Sequence, residues 1–319
     1  MDSQIRTRIL VISDTHGGKV SYNHLGHFDV AVHSGDLTEG SYLAEFEQAI
    51  KTLKSIQAPL KLVIAGNHDF TLDTAIFKKK LASAIPPLGE ADTAVKKQYG
   101  LFGEARALFE SESAKAAGIR FLDEGVHDFV LKNGAKLSVF ASPYTPGVDE
   151  WAFQYNPQAG HRWEIPKVDL AITHGPPQGV FDLAESRKRI GCPLLFAAIA
   201  KAQPKAHLFG HVHAGWGAKR VVWQEHLEQE PSHWSAINND ESVLIASLRN
   251  LRESKFDTPA GVEEKQERVR KLMQVGYCTA EVSSRTETAR ETVFVNAAVR
   301  GPSEHLQVPW CVELDLSKS

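Results

Sequence analysis

The sequence predicts a mixed α/β fold, in which parallel crossovers and antiparallel pairs share one body. Three observations carry this. Short continuous runs of β-branched and apolar residues recur along the chain, a helical pattern separates two of them, and an Asn-Gly dipeptide joins two later runs. Short apolar runs read as strands buried on both faces. Strand, helix, strand reads as a βαβ unit, and Asn-Gly between apolar runs reads as a tight hairpin.

The elements follow in order. RILVIS (8–13) and DVAVHSG (29–35) are the first two strands. A helix then shows its apolar stripe at Tyr42, Leu43, Phe46, Ala49, Ile50 and Leu53, with Ser41 as its N-cap and Glu45 in its first turn. LKLVIAGN (60–67) is the third strand, and a second helical tract covers roughly 100–116. Over 119–141 a strand is followed by a hairpin turning at Asn133-Gly134. The tract 142–168, rich in Pro, Gly, Trp and Tyr, is a long irregular excursion, which in a compact domain is usually functional. Strands return at DLAITHG (169–175) and AHLFGHVH (206–213), with a helix starting after Pro193 between them. The region 224–292 opens polar and charged and carries a mixed-charge helix at 262–274; strands resume at VFVNAAV (293–299) and end with WCVELDL (310–316). The expected organisation is one domain, 1–319, with an insertion at about 224–292.

Composition bounds the function. The 319 residues carry 36 Lys plus Arg against 39 Asp plus Glu, a net charge of −3, with 42% hydrophobic residues. This is an ordinary globular balance, with no acidic disorder and no basic surplus to bind nucleic acid. Cys192, Cys278 and Cys311 are odd in number and unpaired in spacing, which excludes a disulfide scaffold or a Cys-rich zinc site. The first apolar run is far shorter than a signal-peptide core or a membrane span, so a cytoplasmic protein without membrane contact is expected.

The 14 histidines direct attention to the strand ends. Asp14 and His16 end the first strand, Asp36 the second, and Asn67, His68 and Asp69 the third; His174 ends the fourth, and His211 and His213 the fifth. Open parallel sheets bind ligands at the carboxyl ends of their strands. Five strand ends that each supply a metal-capable residue imply one polynuclear site. Asp14, His16, Asp36, Asn67, His174, His211 and His213 make seven donors. A single tetrahedral zinc uses about four, whereas two metals sharing a carboxylate use seven. Imidazole mixed with oxygen suits Zn, Fe or Mn rather than Ca or Mg alone.

At these residues the chain resembles the calcineurin-like metallophosphoesterases, whose motifs run D-x-H, G-D, G-N-H-D/E, G-H and G-H-x-H. SDTHG, THGPP and GHVHAGWG are most similar to the branch of MPPED-type and class III cyclic-nucleotide phosphodiesterases. The resemblance spans residues 8–213 and weakens toward the last strands. It implies a four-layer αββα sandwich of two mixed sheets flanked by helices. It also implies two divalent or trivalent metals, with Asp14, His16 and His213 at the first, Asn67, His174 and His211 at the second, and Asp36 bridging. His68 would lie beside the scissile phosphate, and Asp69 would orient it. The implied reaction is hydrolysis of small organic or cyclic-nucleotide phosphodiesters by a water that the two cations acidify. A phosphomonoesterase or nucleotide pyrophosphatase on the same site, and a metal-stabilised scaffold that binds a protein partner through 224–292, are the alternatives. Trp151, Phe153 and Trp216 are candidates for a substrate wall, since aromatic faces stack on bases and aryl groups. Arg162 is a candidate phosphate contact.

Overall fold

The computed structural model describes residues 4–89, 92–282, 290–301 and 307–319. Its strands are β1 (Gln4–Ile12), β2 (Val30–His33), β3 (Leu60–Val63), β4 (Ile119–Phe121), β5 (Gly125–Val130), β6 (Lys136–Ser142), β7 (Thr145–Pro146), β8 (Gln154–Tyr155), β9 (Leu170–Thr173), β10 (Ala206–Phe209), β11 (Gly217–Trp223), β12 (Ile237–Ser247), β13 (Cys278–Glu281), β14 (Glu291–Asn296) and β15 (Trp310–Ser317). Its α-helices are α1 (Leu43–Ser55), α2 (Thr74–Ser83), α3 (Thr93–Tyr99), α4 (Glu104–Glu110), α5 (Glu112–Ala116), α6 (Pro193–Ala202), α7 (Leu248–Leu251) and α8 (Pro259–Val275).

Two mixed sheets form, with strand orders β13-β15-β1-β2-β3-β4 and β12-β11-β14-β10-β9-β6-β5. In the first, β1 to β4 run parallel and β15 joins β1 antiparallel. In the second, β6, β9, β10 and β14 are parallel and the flanking pairs are antiparallel. Residues alternate between faces of a strand, and β1 shows what that does here. Ile9 and Val11 pack against Leu137, Val139, Leu170 and Leu208 of the other sheet, while Leu10 and Ile12 pack outward among Phe46, Ile50, Leu53 and Phe109 of α1 and α4. On the far side, Ala171, Phe209 and Phe294 pack under Leu195, Phe196 and Ile199 of α6. The result is helix, sheet, sheet, helix. Strands buried on both faces are why the sequence shows near-continuous apolar runs instead of alternation.

Local chemistry explains the turns. The β5–β6 hairpin closes at Asn133-Gly134, with Gly134 at φ 88°. The Cys192 thiol, buried at the start of α6, accepts the Leu195 N–H at 3.2 Å and Pro193 occupies the first turn. Ser41, expected as an N-cap, sits at φ 59° and instead accepts the Thr71 N–H at 2.9 Å. Tyr42 holds the N-cap position of α1, and the Glu45 carboxylate takes its N–H at 3.0 Å. The helical tract expected over 100–116 is two short helices, broken where Ser111 accepts the Ala114 N–H and starts α5.

The tract 224–292 is woven into the sandwich. It supplies β12 to the edge of the second sheet and β13 to the edge of the first, with α7 and α8 between. Its residues 283–289 lie outside the described residues.

Candidate metal centre

The carboxyl ends of β1, β2, β3, β9 and β10 meet at one end of the sandwich, and their backbone there is unusual. Asp14 (φ 56°), His16 (φ 45°), Asp36 (φ 52°) and His211 (φ 65°) all adopt the left-handed region. Each such residue costs about 1–3 kcal/mol and persists only where its surroundings hold it. The hold is visible. Asp14 N–H donates to the Gly35 carbonyl at 2.9 Å, His16 N–H to the Asp36 carbonyl at 3.1 Å, and His211 N–H to the Asp14 carboxylate at 3.0 Å. Two glycines permit the close approach. A Cβ at Gly210 would lie 2.0 Å from Asp14 Oδ2, and one at Gly66 would lie 2.2 Å from the Asp36 backbone nitrogen.

The side chains converge in overlapping groups: Asp14, His16 and His213; His16, Asp36 and His68; and Asp36, His174 and His211, with donor atoms within 4.8 Å of one another in each. Asp36 Oδ2 lies 3.3 Å from His174 Nε2 and 3.8 Å from His16 Nε2. His213 Nε2 lies 3.4 Å from Asp14 Oδ1 and 3.2 Å from His16 Nε2. Asn67 Oδ1 joins the third group, 2.9 Å from His174 Nε2. These overlapping His/Asp clusters suit a dinuclear divalent metal centre.

The electrostatics fit positive charge at this point. Burial works against ionising Asp14, but the hydrogen bond and charge of His213 outweigh it and bring its pKa to about 2. Burial opposes Asp36 in the same way, and His174 overrides it, holding that carboxyl well below the usual range. Burial opposes a charge on His174, yet Asp36 raises its pKa to about 9. His174 Nδ1 donates to the Ser34 carbonyl at 2.9 Å, which fixes the ring and leaves Nε2 turned toward Asp36 and Asn67. Two buried carboxylates ringed by imidazoles present a donor set that matches divalent cations.

His68 stands at the rim. Its backbone N–H donates to Asp36 Oδ1 at 2.8 Å, and its Nδ1 donates to the Glu39 carbonyl at 2.9 Å. Its ring lies edge-on to that of His16, with centroids 4.7 Å apart. Asp69 does not orient it. The Asp69 carboxylate is fully buried and accepts from Leu37 N–H, Thr38 N–H, Thr38 Oγ1 and Gly66 N–H. It therefore fastens the loop after β2 to the loop after β3; burial and the charge of Asp36 push its pKa up to about 7. Glu39 went unnoticed in the sequence. Its carbonyl holds His68, and its carboxylate lies 3.2 Å from His16 Nδ1 and pairs with Arg300. Its place three residues after Asp36, in the same turn, was the available signal.

The candidate wall residues separate. Trp151 lies over His68, ring centroids 4.4 Å apart, because Ala152 N–H donates to the Asn67 carbonyl and draws the 142–168 excursion onto the loop after β3. Phe153 packs edge-on against Tyr144 at 6.0 Å, within the same excursion. Trp216 is not a wall residue. It is fully buried, its ring packs on Trp310 at 4.9 Å, and its Nε1 donates to the Val308 carbonyl at 2.9 Å, so it belongs to the core between the sheets. Arg162 is not at the centre either: its side chain is 87% exposed and pairs with Glu164.

Comparison with known proteins agrees with this geometry. Residues 7–215 match the model of the family described as calcineurin-like phosphoesterase. The chain is 30% identical over 223 residues to metallophosphoesterase domain-containing protein 1 of Homo sapiens, covering 66% of this chain and 62% of that protein. It is 34% identical over 220 residues to a protein of Emericella nidulans named probable rhamnogalacturonate lyase C, covering 68% of this chain and 18% of that one. It is 28% identical over 215 residues to a UPF0046 protein of Caenorhabditis elegans, covering 66% of this chain and 52% of that one. The chain thus spans less than two thirds of the length of each of these relatives. No described helix is long and apolar enough to cross a membrane.

Proposed function

The chain belongs to the calcineurin-like phosphoesterase family, and from that premise we propose that it is a metal-dependent phosphodiester hydrolase acting on small organic or cyclic-nucleotide diesters. The observation that carries this is the set of overlapping His/Asp clusters, two of which share Asp36, with His68 a member of one of them. Two divalent cations held by Asp14, His16, Asp36, Asn67, His174, His211 and His213 would supply Lewis acidity toward the phosphoryl oxygens and activate a water.

The chain's own residues do the rest. Asp36 and Asp14 set a negative, buried floor that would hold the cations. His68 donates its Nδ1 proton to the Glu39 carbonyl, so Nε2 is the nitrogen left to face the phosphate, and in the imidazolium form Nε2 would carry the proton that the leaving oxygen takes. A diester, which has two organic substituents, is favoured by the two flanks of the site. Trp151 covers His68 on one flank, and a groove opens beside His16 on the other.

The test is elemental analysis of the purified protein with a panel of substrates: a bis-aryl phosphodiester, an aryl monophosphate, and 2′,3′- and 3′,5′-cyclic nucleotides. About two metals per chain with faster diester turnover is the expected result. Preference for the monoester would move the assignment to a phosphomonoesterase. Two metals with no hydrolysis would favour a scaffold.

A further inference from the structure

A groove of about 590 Å³ runs from His16 away from the metal cluster. Val20, Met273, Val299 and Val308 form its apolar walls, and no Asp or Glu lines it among the described residues. Arg300 lines it at the inner end, because Arg300 pairs with Glu39, and Glu39 in turn touches His16. Met273, Val299, Arg300 and Val308 all lie beyond residue 215, where the family match ends. They come from the end of α8, the segment after β14 and the approach to β15. The groove is therefore built by parts of this chain outside the matched region, against the loop after β1.

We infer that this groove selects the substrate, seating a planar heteroaromatic substituent of nucleoside size on one ester arm of the phosphodiester. The inference rests on the diesterase reading above. The size falls within the roughly 300–1,000 Å³ of small-molecule sites. The chemistry follows from two side chains. A guanidinium stacks on aromatic faces, and a thioether packs favourably against ring edges. The Arg300 guanidinium disfavours a substrate that carries a cationic group. Glu39 neutralises Arg300 in the free protein, so a ring arriving at Arg300 displaces no buried ion pair: both side chains are about half exposed. Arg300 and Met273 are specificity-determining residues here, and neither enters the bond-breaking step.

The experiment uses the full chain loaded with Mn and two diesters that share one leaving group, thymidine 5′-(p-nitrophenyl phosphate) and methyl p-nitrophenyl phosphate. Wild type is expected to favour the nucleoside ester in kcat/KM by about tenfold or more. Arg300→Ala and Met273→Glu should each lower that ratio by about tenfold, mainly through KM. Arg300→Lys should recover part of it. Met273 is half-exposed on a helix with no buried residue, so its substitution spares the fold. Thymidine 5′-monophosphate should inhibit wild type competitively and both variants more weakly. A wild-type ratio near one, or variants that lose both substrates equally, would overturn the inference and leave the diesterase reading standing. Failure of wild type to hydrolyse either ester would overturn the diesterase reading and this inference together.

Discussion

His174 and His16 both present an imidazole to Asp36, yet their surroundings differ. His174 is fully buried, and its far nitrogen is fixed by a backbone carbonyl, that of Ser34. His16 turns its far nitrogen toward the carboxylate of Glu39, a side chain that is 53% exposed and also pairs with Arg300. One half of the centre is thus hydrogen-bonded to main chain in the interior, whereas at the rim His16 Nδ1 only faces the Glu39 carboxylate and makes no hydrogen bond among the described residues. A backbone carbonyl has no rotamer to lose, whereas a solvated carboxylate is screened and mobile. We expect the deep half to hold a metal more tightly than the rim half.

The largest test removes what both halves share. Asp36→Asn should cut turnover by more than about a thousandfold and lower bound metal at both positions, as read by elemental analysis. Retention of two metals would mean that Asp36 does not link the halves. At the rim, His68→Ala should slow turnover by roughly a hundred- to a thousandfold while metal content stays near two. Metal loss in that variant would make His68 a ligand. Glu39→Gln separates the halves directly. One of two metals should bind about tenfold more weakly in a titration of the metal-free protein, with the other unchanged. Equal weakening at both would erase the distinction drawn between His16 and His174. Trp151→Ala, which removes only the ring over His68, should raise KM by about threefold with little change in kcat.

The smallest effect concerns a histidine outside the centre. His207 is fully buried, its Nε2 faces Thr173 Oγ1 at 2.8 Å, and its Nδ1 has no partner. Thr173 donates its own proton to the Gly175 carbonyl, so His207 donates to Thr173 and stays neutral. Burial lowers its pKa to about 3. The unfolded chain, with an ordinary histidine near 6.5, then binds more protons than the folded one between pH 6.5 and 3. Its contribution is fully present above about pH 6.5 and declines as pH falls through that window, by up to about 1.4 kcal/mol per pH unit. His207→Gln should flatten the loss of stability between pH 7 and pH 5 in urea unfolding; an unchanged slope would show that His207 is not its source.

Much of this was legible along the chain. Strand positions, the Asn133-Gly134 hairpin and the strand-end donors all rest on local patterns: apolar runs, turn residues and spacing. The misreadings share a cause, which is that partners arrive from elsewhere. Trp216 was a candidate substrate wall because its aromatic face could stack on a base or aryl group, but Trp310 and Val308, about ninety residues away, cover it. Asp69 adjoins His68 in sequence but turns its carboxylate to the loop after β2. How the 224–292 tract joins the sheets could not be read from the sequence, because its strands pair with β11 and β15 from other parts of the chain.

Sequence by itself determined which residue types stand at the strand ends, and with them the chemistry of the centre, since ligand identity is a property of single side chains. Tertiary structure alone decided which donors face each other, that Glu39 serves both His16 and His68, and that Arg300 and Met273 reach the rim. The physical reason is range. Donor type and turn chemistry act within a few residues, whereas a groove is made by segments that the chain brings together only after both sheets have packed.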